Sequence, residues 1–120
     1  MLGDIIYNKE LGYLHYTNSS IDSIEDRFMN MDLILSFCNR YNCKKILVDL
    51  RGQDAVTDFR EEYDFARAFK RKLNDLKIAV IFDSKSVEIS FLKEMLENNL
   101  QGEICRFDIE ETAVEWLITS

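Results

Sequence analysis

Two short aliphatic stretches limit what this chain can fold into. They are Lys45-Ile-Leu-Val-Asp-Leu-Arg51 and Lys77-Ile-Ala-Val-Ile-Phe82. The longest unbroken apolar run, Ile78 to Phe82, is far below the roughly 20 residues of a membrane-spanning helix. Both stretches are apolar at consecutive positions rather than alternate ones. A strand with one wet face alternates, whereas a strand apolar on both sides is buried on both, as in the interior of a parallel sheet. Glu103-Ile-Cys-Arg-Phe107 reads as a third parallel strand.

The segments between these strands carry helical spacing. Ile21, Ile24, Phe28, Met31, Leu35 and Cys38 recur at intervals of three and four, with Ile34, Phe37 and Tyr41 widening the stripe. Ser19 and Ser20 are its candidate N-caps, and its end is expected near Asn42. A second helix is expected from Asp58 to Leu73, with Phe59, Tyr63, Ala66, Phe69 and Leu73 on one face. Acids crowd its start and Arg67, Lys70, Arg71 and Lys72 its end, as the helix dipole favours. A third carries Val87, Phe91, Leu92, Met95 and Leu96, and a last one Ala113, Val114, Trp116, Leu117 and Ile118. Asp108 with Glu111 has the spacing of a capping box for that last helix.

Ahead of all this, Asp4 to Tyr16 reads as two short strands joined by a polar turn, an antiparallel hairpin. The expected order is therefore β-β-α-β-α-β-α-β-α. The fold class is α/β: one domain over 1–120, with a mainly parallel five-stranded sheet and an antiparallel N-terminal hairpin at its edge.

Charge narrows the function. Among 120 residues, 22 acids outweigh 15 basic side chains, for a net charge of −7. That sign disfavours nucleic acid and anionic lipid surfaces, both of which recruit clustered Lys and Arg. The opening MLGDIIYNKE lacks a basic start followed by a long apolar stretch, so no secretory signal is expected. The three cysteines Cys38, Cys43 and Cys105 then read as reduced structural thiols, and the expected location is cytoplasmic. No membrane insertion, metal centre or cofactor is expected, since the cysteine spacing gives no zinc motif and Gly52 stands alone in its loop.

These elements, with the residues in them, resemble the SpoIIAA-like group, the STAS and CRAL-TRIO relatives. The likeness rests on the opening hairpin leading into Tyr16-Thr-Asn-Ser-Ser-Ile-Asp-Ser-Ile-Glu25 and on the strands Ile46-Leu-Val-Asp-Leu-Arg51 and Ile78-Ala-Val-Ile-Phe82. It rests most on the tail Arg106-Phe-Asp-Ile-Glu-Glu-Thr-Ala-Val-Glu-Trp-Leu117. It covers nearly the whole chain and implies a regulatory or ligand-binding domain. Anti-sigma antagonist members carry a phosphorylated serine in an Asp-Ser step after the corresponding strand. Here the loop reads Gly52-Gln-Asp-Ala-Val-Thr-Asp58, without that step, and Thr57 is its only hydroxyl.

In an open α/β sheet, ligands bind beyond the carboxyl ends of the parallel strands. The polar residues expected there are Asp49, Arg51, Asp54, Thr57, Asp83 and Ser84. Asp49 interrupts an aliphatic strand, so it is expected to be partly buried with a partner, and Arg51 is expected to pair with a nearby acid. His15, the only histidine, alternates with Tyr13 and Thr17 on one hairpin face and is expected at the surface or on an edge strand. Phe65 with Tyr13 or Tyr7 is a candidate contact patch. No catalytic set is assembled. The sequence thus favours a non-enzymatic binding or regulatory module acting through a protein partner or a small apolar or anionic ligand. The rivals are a small-molecule or lipid carrier or small enzyme using Asp49, Arg51 and Asp83, and a homodimer built on the aromatic hairpin.

Overall fold

A computed structural model describes residues 3–17, 24–51, 64, 67–69, 71–72, 75–81 and 103–119. Its order is β1 (Asp4–Asn8), β2 (Tyr13–Thr17), α1 (Ile24–Tyr41), β3 (Lys45–Asp49), β4 (Lys77–Ile81), β5 (Glu103–Phe107) and α2 (Glu110–Ile118). Asp64, 67–69 and 71–72 are also helical, as the expected second helix requires. The protein is α/β. Its five strands lie side by side in chain order, with β1 antiparallel to β2 and every other pair parallel.

The aliphatic stretches do pair in parallel, with Val48 opposite Val80 and Ile46 opposite Ile78. Because side chains alternate, the sheet sorts its residues into two cores. Leu14, Tyr16, Ile46, Val48, Ile78 and Val80 face Met31, Ile34 and Cys38 of α1 together with Ala68 and Phe69. Tyr13, Leu47, Ala79 and Ile81 face Ala113 and Leu117 of α2. Leu47, Ala79, Ala113 and Leu117 are all at 0% exposure. The two alanines are the small members of this second core, where they leave room for helix and sheet to approach closely. Tyr13 is buried here, which removes it from the expected contact patch, because its alternation points it under α2 rather than outward.

The hairpin turn is organised by Asn8. Its carbonyl accepts the Gly12 N–H at 2.8 Å and its Oδ1 accepts the Leu11 N–H at 3.0 Å. Gly12 sits at φ +74°, a left-handed conformation that glycine adopts without Cβ strain. At the other end of β1, Gly3 N–H donates to Oδ1 of Asn30, a buried polar residue of α1, at 2.7 Å. The sequence pattern gave no sign of this tie.

α2 departs from the expected capping box. Its N-cap is Ile109, in extended conformation and without a side-chain cap, while Asp108 instead pairs with Arg106 at 3.0 Å. The helix starts one residue later than the spacing suggested, so Asp108 lies outside the capping position. The far end has no basic residue of its own. Lys77 of β4 supplies one: its Nζ donates to the carbonyls of Trp116 (2.8 Å) and Thr119 (2.6 Å) and lies 4.6 Å from the centre of the Trp116 ring. A cation there satisfies orphan carbonyls and complements the dipole.

Two of the three thiols lie in the core. Cys38 and Cys43 are buried and unbridged, and Cys43 Sγ donates to the carbonyls of Lys45 (3.3 Å) and Gly12 (3.5 Å). Burial, with the neighbouring Cys43, pushes the Cys38 thiol up to about 11. Such a thiol is a poor nucleophile near neutral pH. Among the described residues, no helix is long and apolar enough to cross a membrane.

Candidate functional site

The carboxyl ends of β2 and β3 converge with the start of α2. Parallel register sets Thr17 beside Asp49 and His15 beside Leu47. His15, Thr17 and Asp49 therefore share the face that α2 covers. β5 ends at Phe107, and three residues later Glu110 opens α2. That short connection brings Glu110 within reach of Arg51, the residue two beyond Asp49.

Arg51 ties the group together. Its backbone N–H donates to Oδ1 of Asp49 at 3.0 Å, its Nε to the same oxygen at 2.9 Å, and its Nη2 to Oδ2 at 2.6 Å. This is the planar fork pairing that guanidinium and carboxylate geometry allow. The same Nη2 donates to Oε1 of Glu110 at 3.0 Å. Asp49 is almost enclosed, its side chain 12% exposed, against 45% for Arg51 and 42% for Glu110. A carboxylate is thus set in the sheet, and a half-exposed guanidinium links it to a second carboxylate at the rim.

Burial by itself raises the Asp49 carboxyl. The hydrogen bonds and charge of Arg51, joined by His15, outweigh burial and hold it below its ordinary value. Arg51 is pushed further up by its bond to Asp49 and by the charges of Asp49 and Glu110. Both stay ionised across the neutral range.

His15 completes the cluster. A ring nitrogen of His15 and one carboxylate oxygen each from Asp49 and Glu110 lie within 4.8 Å of one another. Nε2 of His15 is buried, and no group among the described residues hydrogen-bonds it. This corrects the edge-strand expectation. β2 lies inside the sheet between β1 and β3, and the histidine faces Asp49 rather than open solvent.

Of the six residues singled out from sequence, the structure brings Asp49 and Arg51 together as an ion pair. Asp54, Thr57, Asp83 and Ser84 lie outside the described residues, as does Phe65. Glu110 was missed as a site residue. Its one sequence signal was a place in the acidic turn after the last strand, at the same sheet end as Asp49.

A shallow depression of about 340 Å³ lies at the opposite end of the strands, lined by Tyr7, Gly12, Asn42, Cys43, Lys44 and Lys45. It is separate from the His15 cluster. No known protein family, curated protein or solved structure matches the chain.

Proposed function

We propose that this protein is a non-enzymatic binding module of SpoIIAA-like type that receives a protein partner or small ligand at the carboxyl ends of its strands. One observation carries the reading. Arg51, anchored on the enclosed Asp49 carboxylate, presents a half-exposed guanidinium and the Glu110 carboxylate together at the rim. A charge pair fixed by the sheet is prepared to meet complementary charge with little ordering cost. Ile109, next to Glu110 and 58% exposed, adds an apolar contact beside it. Mixed apolar and charged surface of this kind is how interface rims and anchors are built.

The resemblance supports the same reading from the sequence side. Fold alone does not fix function, so the test addresses the site. Native mass spectrometry of the freshly purified full chain compares wild type with Glu110→Lys and Ile109→Ser. Both positions are surface-facing, and urea unfolding confirms that each variant folds. The expected result is an associated mass on wild type that both variants lose. Identical spectra for all three would refute the reading.

A further inference from the structure

The strand-end cluster has the composition of a metal site already occupied by an internal cation. We infer that His15, Asp49 and Glu110 form a three-ligand site for a divalent transition-metal ion of the zinc type, which exchanges with the Arg51 guanidinium. The inference deepens the binding reading above and rests on it.

Three observations converge. First, the ligand atoms come from three separate elements, β2, β3 and the first residue of α2, and still lie within 4.8 Å of one another. Second, Nε2 of His15 is buried and unpartnered among the described residues, although a buried imidazole nitrogen ordinarily finds a partner. Third, a cation already bridges the two carboxylates, since Nη2 of Arg51 lies 2.6 Å from Asp49 and 3.0 Å from Glu110. The local field therefore favours positive charge at this spot.

The geometry is within reach. Zinc holds nitrogen and oxygen ligands at about 2.0–2.2 Å, which places tetrahedral ligand atoms about 3.4 Å apart. Closing from 4.8 Å asks for shifts of about 1 Å shared among side chains, once the guanidinium swings out. Arg51 is 45% exposed, so water can solvate it when it leaves. One imidazole and two carboxylates suit zinc, cobalt or manganese, whereas magnesium prefers oxygen ligands and retains its waters. With three protein ligands, one coordination position stays open for water or for a donor from a partner.

The test is calorimetric titration of the full chain with Zn²⁺, with Mg²⁺ as control, followed by Co²⁺ absorption spectroscopy. Wild type is expected to bind one Zn²⁺ and to show no Mg²⁺ heat. His15→Gln and Glu110→Gln should each weaken binding by at least about 10-fold, the low end of what losing even an outer-shell partner costs. Arg51→Gln should tighten it, because the competing cation is gone. Thermal unfolding of each variant without metal verifies folding.

The inference would be overturned by no binding to wild type or Arg51→Gln, by binding that His15→Gln leaves unchanged, or by binding that Arg51→Gln does not tighten. A thiolate charge-transfer band in the Co²⁺ spectrum would also overturn it, by placing the ion on cysteine. Loss of an associated mass in Glu110→Lys and Ile109→Ser, with no Zn²⁺ bound, would remove the metal and leave the binding module standing.

Discussion

Replacing Asp49 by alanine is expected to cost stability, and the structure sets the scale. Three donors of Arg51 converge on the carboxylate at 2.6–3.0 Å. A fully exposed pair would contribute only about 0.2–1 kcal/mol, and breaking a fully buried one would cost about 3–5 kcal/mol. This pair lies between, with a 12% exposed acid and a 45% exposed base. After Asp49→Ala the guanidinium still reaches Glu110 and water, so little uncompensated charge is stranded. The expected loss is about 2 kcal/mol, and about 1 kcal/mol for Asp49→Asn, which keeps the volume and one acceptor. For 120 residues that corresponds to a fall in melting temperature of about 8 °C and about 4 °C.

A double-mutant cycle on Asp49→Asn and Arg51→Met, read by urea unfolding at pH 7, should give a coupling energy of about 1–2 kcal/mol. The pH dependence has a definite sign. Because the folded carboxyl lies below its ordinary 3.8, its contribution is present above that value and is lost as pH falls through the lower, folded one. Wild type and Asp49→Ala should therefore converge in stability in strong acid. A coupling below about 0.3 kcal/mol, or a gap unchanged by acid, would refute the reasoning.

Two further perturbations test the frame around the site. Lys77→Met removes the cation from the end of α2 and should cost about 1–3 kcal/mol by urea unfolding, while Lys77→Arg recovers part of it. Gly12→Ala should cost about 1 kcal/mol from left-handed strain alone, because no atom lies within 4 Å of the new Cβ. Gly3→Ala should cost more, since its Cβ would meet the Tyr16 ring at 2.6 Å and the Thr17 carbonyl at 2.8 Å. Equal losses at the two glycines would contradict the packing described at β1.

The sheet was readable because its cause is local. Ile46-Leu47-Val48 and Ile78 to Ile81 are apolar on consecutive positions, and only a doubly covered strand tolerates that. Alternation also assigned the faces correctly at the hairpin, where Leu14 and Tyr16 join one core and Tyr13 the other. Contacts that depend on where separate elements end were not readable. Asn30 meets Gly3 across 27 residues, and Arg51 meets Glu110 across 59. The last helix begins at Glu110 rather than at the position its capping pattern suggested, and one residue of shift decides whether Asp108 caps a helix or pairs with Arg106.

His15 shows why a site can escape a sequence that reveals its scaffold. Alternation put it on the same hairpin face as Tyr13 and Thr17, which is correct. What makes it chemically distinctive is the parallel register that sets Thr17 beside Asp49, and that register follows from α1 carrying the chain back to lay β3 against β2. Once the register holds, the chain's only histidine and Asp49, the one buried acid among the described residues, share a face. The position of Asp49 then answers two demands. Inside the sheet, it needs a cation to offset its burial; at the strand end, the cation it holds is half in water and also touches Glu110. A charge that stabilises the fold only while it is paired, with a partner that can be solvated on leaving, is a place where an incoming cation can compete without unfolding the sheet.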